Sequence, residues 1–239
     1  MKTIALIPAR LESERFPNKL IKKLDGVPII VRTYLAALNS KLYDQVYVVS
    51  GNDEIIDLIK SKDGLIFKSR KIHLSGTDRI AEAAKEIDHD IVVNLQGDEP
   101  FINIDAIDSL IASFEDNSVK MASLMTSFNS FDEIKNPNNV KVTVDKNNNA
   151  IFFSRSPIPE GENEIKKFNR HIGVYAFRTL YLKKFAKYDQ TPLEKAEMIE
   201  ALRIVEHGEK IRMIEIFKEH VSIDTIDDLK MAESILKQK

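Results

Sequence analysis

Three short stretches combine residue types that can act on a phosphate. The first is the loop after an opening apolar run, where Arg10, Arg15, Lys19, Lys22 and Lys23 stand against Glu12 and Glu14, a local net charge of +3. No glycine precedes Gly26, so the chain has neither G-x-G-x-x-G nor G-x-x-x-x-G-K there, and no glycine-lined backbone cradle for a phosphate. Long cationic side chains meet a polyphosphate differently, as charge-assisted donors. Charge alone fits a solvated basic loop equally well. The loop's place after a strand, where open α/β sheets hold ligands, favours an anion site.

The second stretch is "QGDEP", in which Asp98 follows an apolar strand and Gly97 lets the chain turn. Asp98 is either an ordinary acidic turn residue or a hard-oxygen ligand for Mg²⁺, which takes one or two carboxylates and fills its shell with phosphates and water. The third is "SIDTIDDL": Thr225 and Asp228 form a capping-box pattern, and Asp224 is either part of that turn or the second carboxylate of a site with Asp98. Two carboxylates, one metal and a triphosphate make up a nucleotidyl-transfer site.

These residues need a parallel α/β sheet to position them. "TIALIPA", "QVYVVS", "LIFKS" and "DIVVNL" read as buried strands; "VPIIVRTYLAALNS" (with Pro28 in its first turn), "NDEIIDLIKSKDG", "TDRIAEAAKEI" and "IDAIDSLIASFE" read as the helices between them. The second half changes character. "VKVTVDKNNNAIFFSR" is a hairpin with an Asn-rich turn, and "RHIGVYAF" is an extended run. "LEKAEMIEALRIVEHG" reads as one helix on the spacing of Leu193, Ala196, Ile199 and Leu202. The extended runs "IRMIEIF" and "VSI" follow, then a final helix from Thr225. The expectation is a doubly wound, mostly parallel sheet over residues 1–239, a single domain with a β-rich insertion at 130–190.

Composition narrows the class. The 239 residues are 43% hydrophobic and 30% charged with a net charge of −2, so no general field exists for nucleic acid or an anionic membrane. There is no cysteine, which removes disulfide and thiolate chemistry and fits a reducing compartment. The first apolar run is too short for a signal peptide and no run reaches membrane-span length. A cytoplasmic protein is expected.

The chain resembles the cytidylyltransferases that activate 3-deoxy-D-manno-octulosonate (Kdo), the CMP-Kdo synthetases. "IPARLESERFPNK", "HLSGTDRIAEA", "VNLQGDEPFI", "NPNNVKVTVD", "FFSRSPIP", "RHIGVYAFR", "PLEKAEMIEALR", "GEKI" and "IDTIDDL" carry the resemblance in family order across nearly the whole chain. It implies a nucleotidyltransferase fold and transfer of CMP from CTP to Kdo for lipopolysaccharide biosynthesis, with pyrophosphate released. Ala9, Arg10, Arg15 and Lys19 would meet the nucleotide, together with Ser75, Gly76, Thr77, Arg79 and Gln96. Asp98 and Asp224 would hold Mg²⁺. Gln96, Arg155, His171, Tyr175 and Glu200 would bind the sugar. The catalytic set would be Arg10, Lys19, Asp98 and Asp224. The family also implies a homodimer that uses the β-rich half.

The chain departs from the family at Asn18, where glycine is usual, at Leu20, where proline is usual, and at Ala201, where glutamine is usual. The loop before His171 is also short. Asn tolerates positive φ, so the first change is compatible with the family turn. Leu20 is a mild change, and these two leave the nucleotide half intact. Ala201 and the short loop bear on which ulosonic acid is bound, and a modified or related acid is an alternative to Kdo. A Mg²⁺-dependent glycosyltransferase and a non-catalytic nucleotide-binding module are the remaining readings; the cationic loop disfavours the first and the paired aspartates disfavour the second.

Overall fold

A computed structural model describes residues 1–12, 16–73, 75–160, 168–217, 223 and 225–237. In chain order the strands and helices are β1 (Thr3–Ala9), β2 (Lys23–Leu24), β3 (Val27–Pro28), α1 (Ile29–Ser40), β4 (Gln45–Ser50), α2 (Asp53–Lys60), β5 (Leu65–Lys68), α3 (Gly76–Ala83), β6 (Ile91–Asn94) and α4 (Ile104–Ala112). There follow β7 (Met121–Ser127), α5 (Phe131–Lys135), β8 (Lys141–Val144), β9 (Ala150–Ser154), β10 (Asn169–Arg178), α6 (Thr179–Phe185), α7 (Pro192–Glu197), α8 (Ala201–Glu206), β11 (Arg212–Glu215) and α9 (Ile226–Lys237). The chain divides into two compact units, Met1–Ile107 with Glu219–Lys239, and Asp108–Lys218.

The first unit is a parallel sheet in the order β6-β1-β4-β5. Every residue of β1 and β6 is buried, which is why both read as continuous apolar runs rather than alternating ones. Pro28 lies just outside α1 in extended conformation (φ −54°, ψ 140°), as its N-cap, and not inside the first turn. Its fixed φ suits that junction. Strand β5 ends the sheet and is partly exposed, while α2 turns Ile55, Ile56 and Ile59 inward. The turn into β5 is crowded at Gly64, where a Cβ would lie 2.5 Å from Ile59 Cγ2. Helix α9 has the capping box read from sequence, with Thr225 N–H donating to Asp228 Oδ2 at 2.8 Å and Asp228 N–H donating to Thr225 Oγ1 at 3.2 Å.

The second unit is mixed. β11 runs parallel to β7, and β7 pairs antiparallel with β10. β10 pairs antiparallel with β8, and β8 with β9 through the Asn-rich turn, where Asn148 takes φ +57°. The proposal of a β-rich insertion at 130–190 concerns residues inside this unit. Among the described residues no helix is long and apolar enough to cross a membrane.

The segment read as one helix from Leu193 is two. Met198 adopts the left-handed conformation (φ +54°, ψ 43°) and separates α7 from α8. The break is held by a buried ion pair: Arg203 donates from Nε to Glu194 Oε2 at 2.8 Å and from Nη2 to Glu194 Oε1 at 2.6 Å, with its guanidinium 4.6 Å from the Phe185 ring. Glu206 accepts the N–H of Leu193 at 3.0 Å, fixing the start of α7 from the end of α8. Removing one partner of such a pair leaves an uncompensated buried charge, so Glu194→Leu should cost about 3–5 kcal/mol in urea unfolding. Glu194→Leu with Arg203→Met should recover most of that loss. A single-variant loss near zero would show that the pair does not hold the break.

Candidate active site

In the first unit the opening loop leaves β1 at Arg10, which is exposed. The loop closes through Asn18, whose N–H donates to Leu11 O at 3.2 Å and whose backbone is left-handed (φ 56°, ψ 28°), the conformation that asparagine tolerates in place of glycine. Lys19 follows and its ammonium pairs with the Asp98 carboxylate. Their side chains remain 12% and 20% exposed, so both charges stay within reach of a ligand. Ala9 is buried at the end of β1. Arg15 and Asp224 lie outside the described residues.

The turn carrying Asp98 is fixed from several sides. Thr33, fully buried in α1, donates its hydroxyl to Gly97 O at 2.9 Å. A Cβ on Gly97 would meet Ile30 Cδ1 at 3.1 Å and Leu20 Cδ1 at 3.2 Å, so glycine here eases close packing and does not serve an unusual φ. Ile223, the residue before Asp224, donates its N–H to Asp98 O at 3.0 Å. Among the described residues no group of three or more His, Asp or Glu gathers as a metal cage. A partly exposed carboxylate in a fixed turn, here paired with Lys19, suits Mg²⁺, which takes one or two carboxylates and completes its shell from phosphates and water.

The "SGTDR" residues divide by role. Ser75 caps α3, accepting from Asp78 N at 3.1 Å and donating to Asp78 Oδ2 at 2.8 Å. Gly76 lies against Pro8, where a Cβ would come within 3.2 Å of Pro8 Cγ and 3.9 Å of Gln96 Oε1, so α3 begins beside the carboxyl end of β1 and near Gln96. Thr77 is buried and accepts from Asn94 Nδ2 at 3.0 Å, tying α3 to β6. Arg79 differs. Among the described residues its guanidinium makes no hydrogen bond or close ion pair. Its pKa is lowered first by burial and then by the charge of Arg10, against the weaker pull of Glu12 and Glu82. Two guanidinium groups that repel each other, with no bonded acid among the described residues, form a site suited to an anion.

Sequence reasoning passed over what steadies α3. Glu82 accepts from Ser69 Oγ at 2.7 Å, from Arg70 N–H at 3.2 Å and contacts His73 Nε2 at 2.8 Å, so one carboxylate gathers the segment ahead of the helix. The acid three residues after Arg79 was the available signal.

In the second unit His171 and Tyr175 flank a bulge in β10: Ile172 pairs with Leu124 and Tyr175 with Ser123, leaving Gly173 and Val174 outside the register. Their rings lie 5.4 Å apart, and Phe153 packs 4.9 Å from the imidazole. Burial pushes the His171 pKa down to about 3. Burial, then the nearby charge of Glu200, pushes the Tyr175 phenol well above its usual range. The imidazole is therefore neutral and the phenol protonated at physiological pH, with Glu200 close by. Arg155 donates to the carbonyls of Glu197 (2.7 Å), Pro137 (2.9 Å) and Met198 (3.4 Å). It steadies the α7 break. Lys141, fully buried, likewise serves three carbonyls, those of Asn136, Asn139 and Arg155. Ala201 is buried, so its side chain is packed within the unit.

A parallel sheet with cations and an accessible carboxylate beyond its strand ends is a nucleotide-binding arrangement. A family model described as cytidylyltransferase matches residues 4–211, and the chain belongs to that family. Within it the chain is similar to 3-deoxy-manno-octulosonate cytidylyltransferases. That of Christiangramia forsetii is 44% identical, covering 98% of this chain and 97% of its own; that of Flavobacterium johnsoniae is 45% identical, covering 99% of each. Among solved structures, CMP:2-keto-3-deoxy-manno-octonic acid synthetase complexed with CTP superposes with a TM-score of 0.93 at 32% identity, over 100% of this chain and 99% of that one. The fold extends to a 4-diphosphocytidyl-2C-methyl-D-erythritol synthase from Anaerococcus prevotii, with a TM-score of 0.65 at 17% identity.

The neutral imidazole has a thermodynamic consequence. Between about pH 6.5 and about pH 3 the unfolded chain binds a proton at His171 that the folded chain does not. This contribution to stability is therefore complete above about 6.5 and is lost as pH falls toward 3, by at most about 1.4 kcal/mol per pH unit. Urea unfolding at pH 7, 6 and 5 should show a flatter pH dependence for His171→Asn than for wild type. Equal slopes would contradict a buried neutral imidazole.

Proposed function

We propose that this chain transfers CMP from CTP to 3-deoxy-manno-octulosonate and releases pyrophosphate. The observation that carries the nucleotide half is the pair of guanidinium groups, Arg10 and Arg79, unbonded among the described residues, in the unit whose Lys19 and Asp98 remain partly exposed. The near full-length likeness to 3-deoxy-manno-octulosonate cytidylyltransferases and the CTP complex of the similar synthetase support the choice of substrates.

In this reading Arg10, Arg15, Lys19 and Arg79 bind the phosphates, and the α3 start, Ala9 and Gln96 border the cytidine. The anomeric hydroxyl of the sugar acid attacks the α-phosphorus in line. Its new O–P bond forms as the bond to the β-phosphate oxygen breaks, and the hydroxyl proton passes to water. Charge collects on the departing pyrophosphate, where fixed cations stabilise the transition state more than the ground state. Lys19 would exchange Asp98 for a phosphate oxygen as the nucleotide enters. Asp98, with Asp224, would hold Mg²⁺, which supplies charge neutralisation and polarisation of the phosphates. His171, Tyr175 and Glu200 bind the sugar acid, and Arg155 shapes that region through the α7 break. The reading includes lipopolysaccharide biosynthesis as the setting, the cytoplasm as the location and a two-fold homodimer; light scattering at 27.3 kDa or twice that mass decides the last.

Pyrophosphate release should require both CTP and the sugar acid and fall sharply when ATP or GTP replaces CTP. Asp98→Asn should lower the rate about a thousandfold or more, since a lost metal ligand removes several kcal/mol of transition-state stabilisation. Equal rates with ATP would overturn the nucleotide assignment. Near-normal activity of Asp98→Asn would overturn the metal assignment.

A further inference from the structure

We infer that Ser123 is a positioning residue that fixes the tautomer of His171, so that the imidazole offers the sugar acid a bare acceptor nitrogen, Nδ1, for one of its hydroxyl groups and not for its carboxylate. This inference rests on the reading of His171 as a sugar-side residue and adds its partner and its polarity.

Ser123, fully buried on β7, has its Oγ 2.8 Å from Val174 O and 3.2 Å from Ile172 O. Both carbonyls flank the bulge in β10, where the ladder loses its regular register. Carbonyl oxygens only accept, so the single hydroxyl hydrogen of Ser123 goes to them. The same Oγ lies 3.1 Å from His171 Nε2. With its hydrogen committed, Oγ meets Nε2 as an acceptor, and Nε2 carries the ring proton. The ring is neutral, because burial holds its pKa far below physiological pH. Nδ1 is then an unprotonated acceptor.

Nδ1 has no hydrogen-bond partner among the described residues, and His171 keeps 9% of its surface exposed. The rings of Phe153 and Tyr175 restrict the imidazole at 4.9 and 5.4 Å. A neutral ring with only a lone pair on offer attracts a hydroxyl donor and gives a carboxylate nothing to accept from. One buried serine hydroxyl therefore closes the bulge and sets which ligand group His171 recognises.

The test begins with wild-type protein. ¹⁵N NMR of the imidazoles, with the His171 signals assigned by their loss in His171→Gln, should show a proton on Nε2 and none on Nδ1 at pH 7. Adding 3-deoxy-manno-octulosonate should shift Nδ1 as it accepts a hydrogen bond. Ser123→Ala should redistribute the tautomers and raise KM for the sugar acid about three- to tenfold while KM for CTP stays put; Ser123→Thr, which keeps the hydroxyl, should restore both. A proton on Nδ1 in wild type, or Ser123→Ala with unchanged sugar KM, overturns this inference and leaves the proposed reaction standing. Should His171→Gln leave sugar KM unchanged, the sugar-side reading fails and this inference with it, while CTP-dependent release in the same assay reports separately on the reaction class. If Ser123→Ala does not fold, the wild-type tautomer and the Ser123→Thr kinetics still decide.

Discussion

The turn at Gly97 is tightly packed and held from several sides, and much of the first unit's chemistry follows from that. A Cβ there would crowd the ends of Leu20 and Ile30, Thr33 holds its carbonyl, and Ile223 holds the next one. A turn fixed at consecutive carbonyls cannot trade position for contact. The Asp98 carboxylate is therefore presented with little freedom, and Lys19, one residue before Leu20, is brought to it by the same packing. Preorganisation of this kind lowers what a bound ligand must spend on ordering side chains. Leu20, a departure from the family pattern, is itself one of the wedges; an apolar side chain fills the place and the turn keeps its support.

The two units solve opposite electrostatic problems. The first holds like charges together: Arg10 and Arg79 repel, and Arg79 is buried enough for the repulsion to be weakly screened. The cost is carried by the rest of α3, which is capped by Ser75, bonded to β6 through Thr77 and Asn94, and steadied ahead of its start by Glu82. The second unit removes charge. His171 is neutral, Tyr175 is protonated, and the cations Lys141 and Arg155 are committed to main-chain carbonyls. Polyphosphate binding needs the first environment, while discrimination among hydroxyl patterns needs the second, where an unmet polar group in a buried site is costly.

The sheet of the first unit was legible because burial on both faces writes itself as apolar runs, as in Ile91 to Val93, and because the helices between carry their own start and stop residues. The cation cluster and Asp98 were legible for a related reason: charge is read one residue at a time. What escaped depends on contacts distant in sequence. Leu193, Ala196, Ile199 and Leu202 keep helical spacing straight through the break at Met198, so periodicity cannot report a reversed φ. Three of the five Arg155 donors reach carbonyls 18 to 43 residues away, contacts that residue type alone cannot announce. Ser123 was a single hydroxyl inside "MASLMTS", a signal visible in the sequence but without meaning until the bulge opposite it was known.

That last case bears on how departures from a family should be weighed. Ala201 stands where the family carries glutamine, and by residue type it suggests a lost sugar contact. Its side chain is buried, so a longer residue would first have to find volume before it could find a ligand. The polarity of this region is set instead by groups whose hydrogens are already assigned: Ser123 to the bulge, Arg155 to the α7 break, Lys141 to three carbonyls. In a site built this way, selectivity is decided less by which polar residues are present than by which lone pairs and protons remain after the backbone has taken its share.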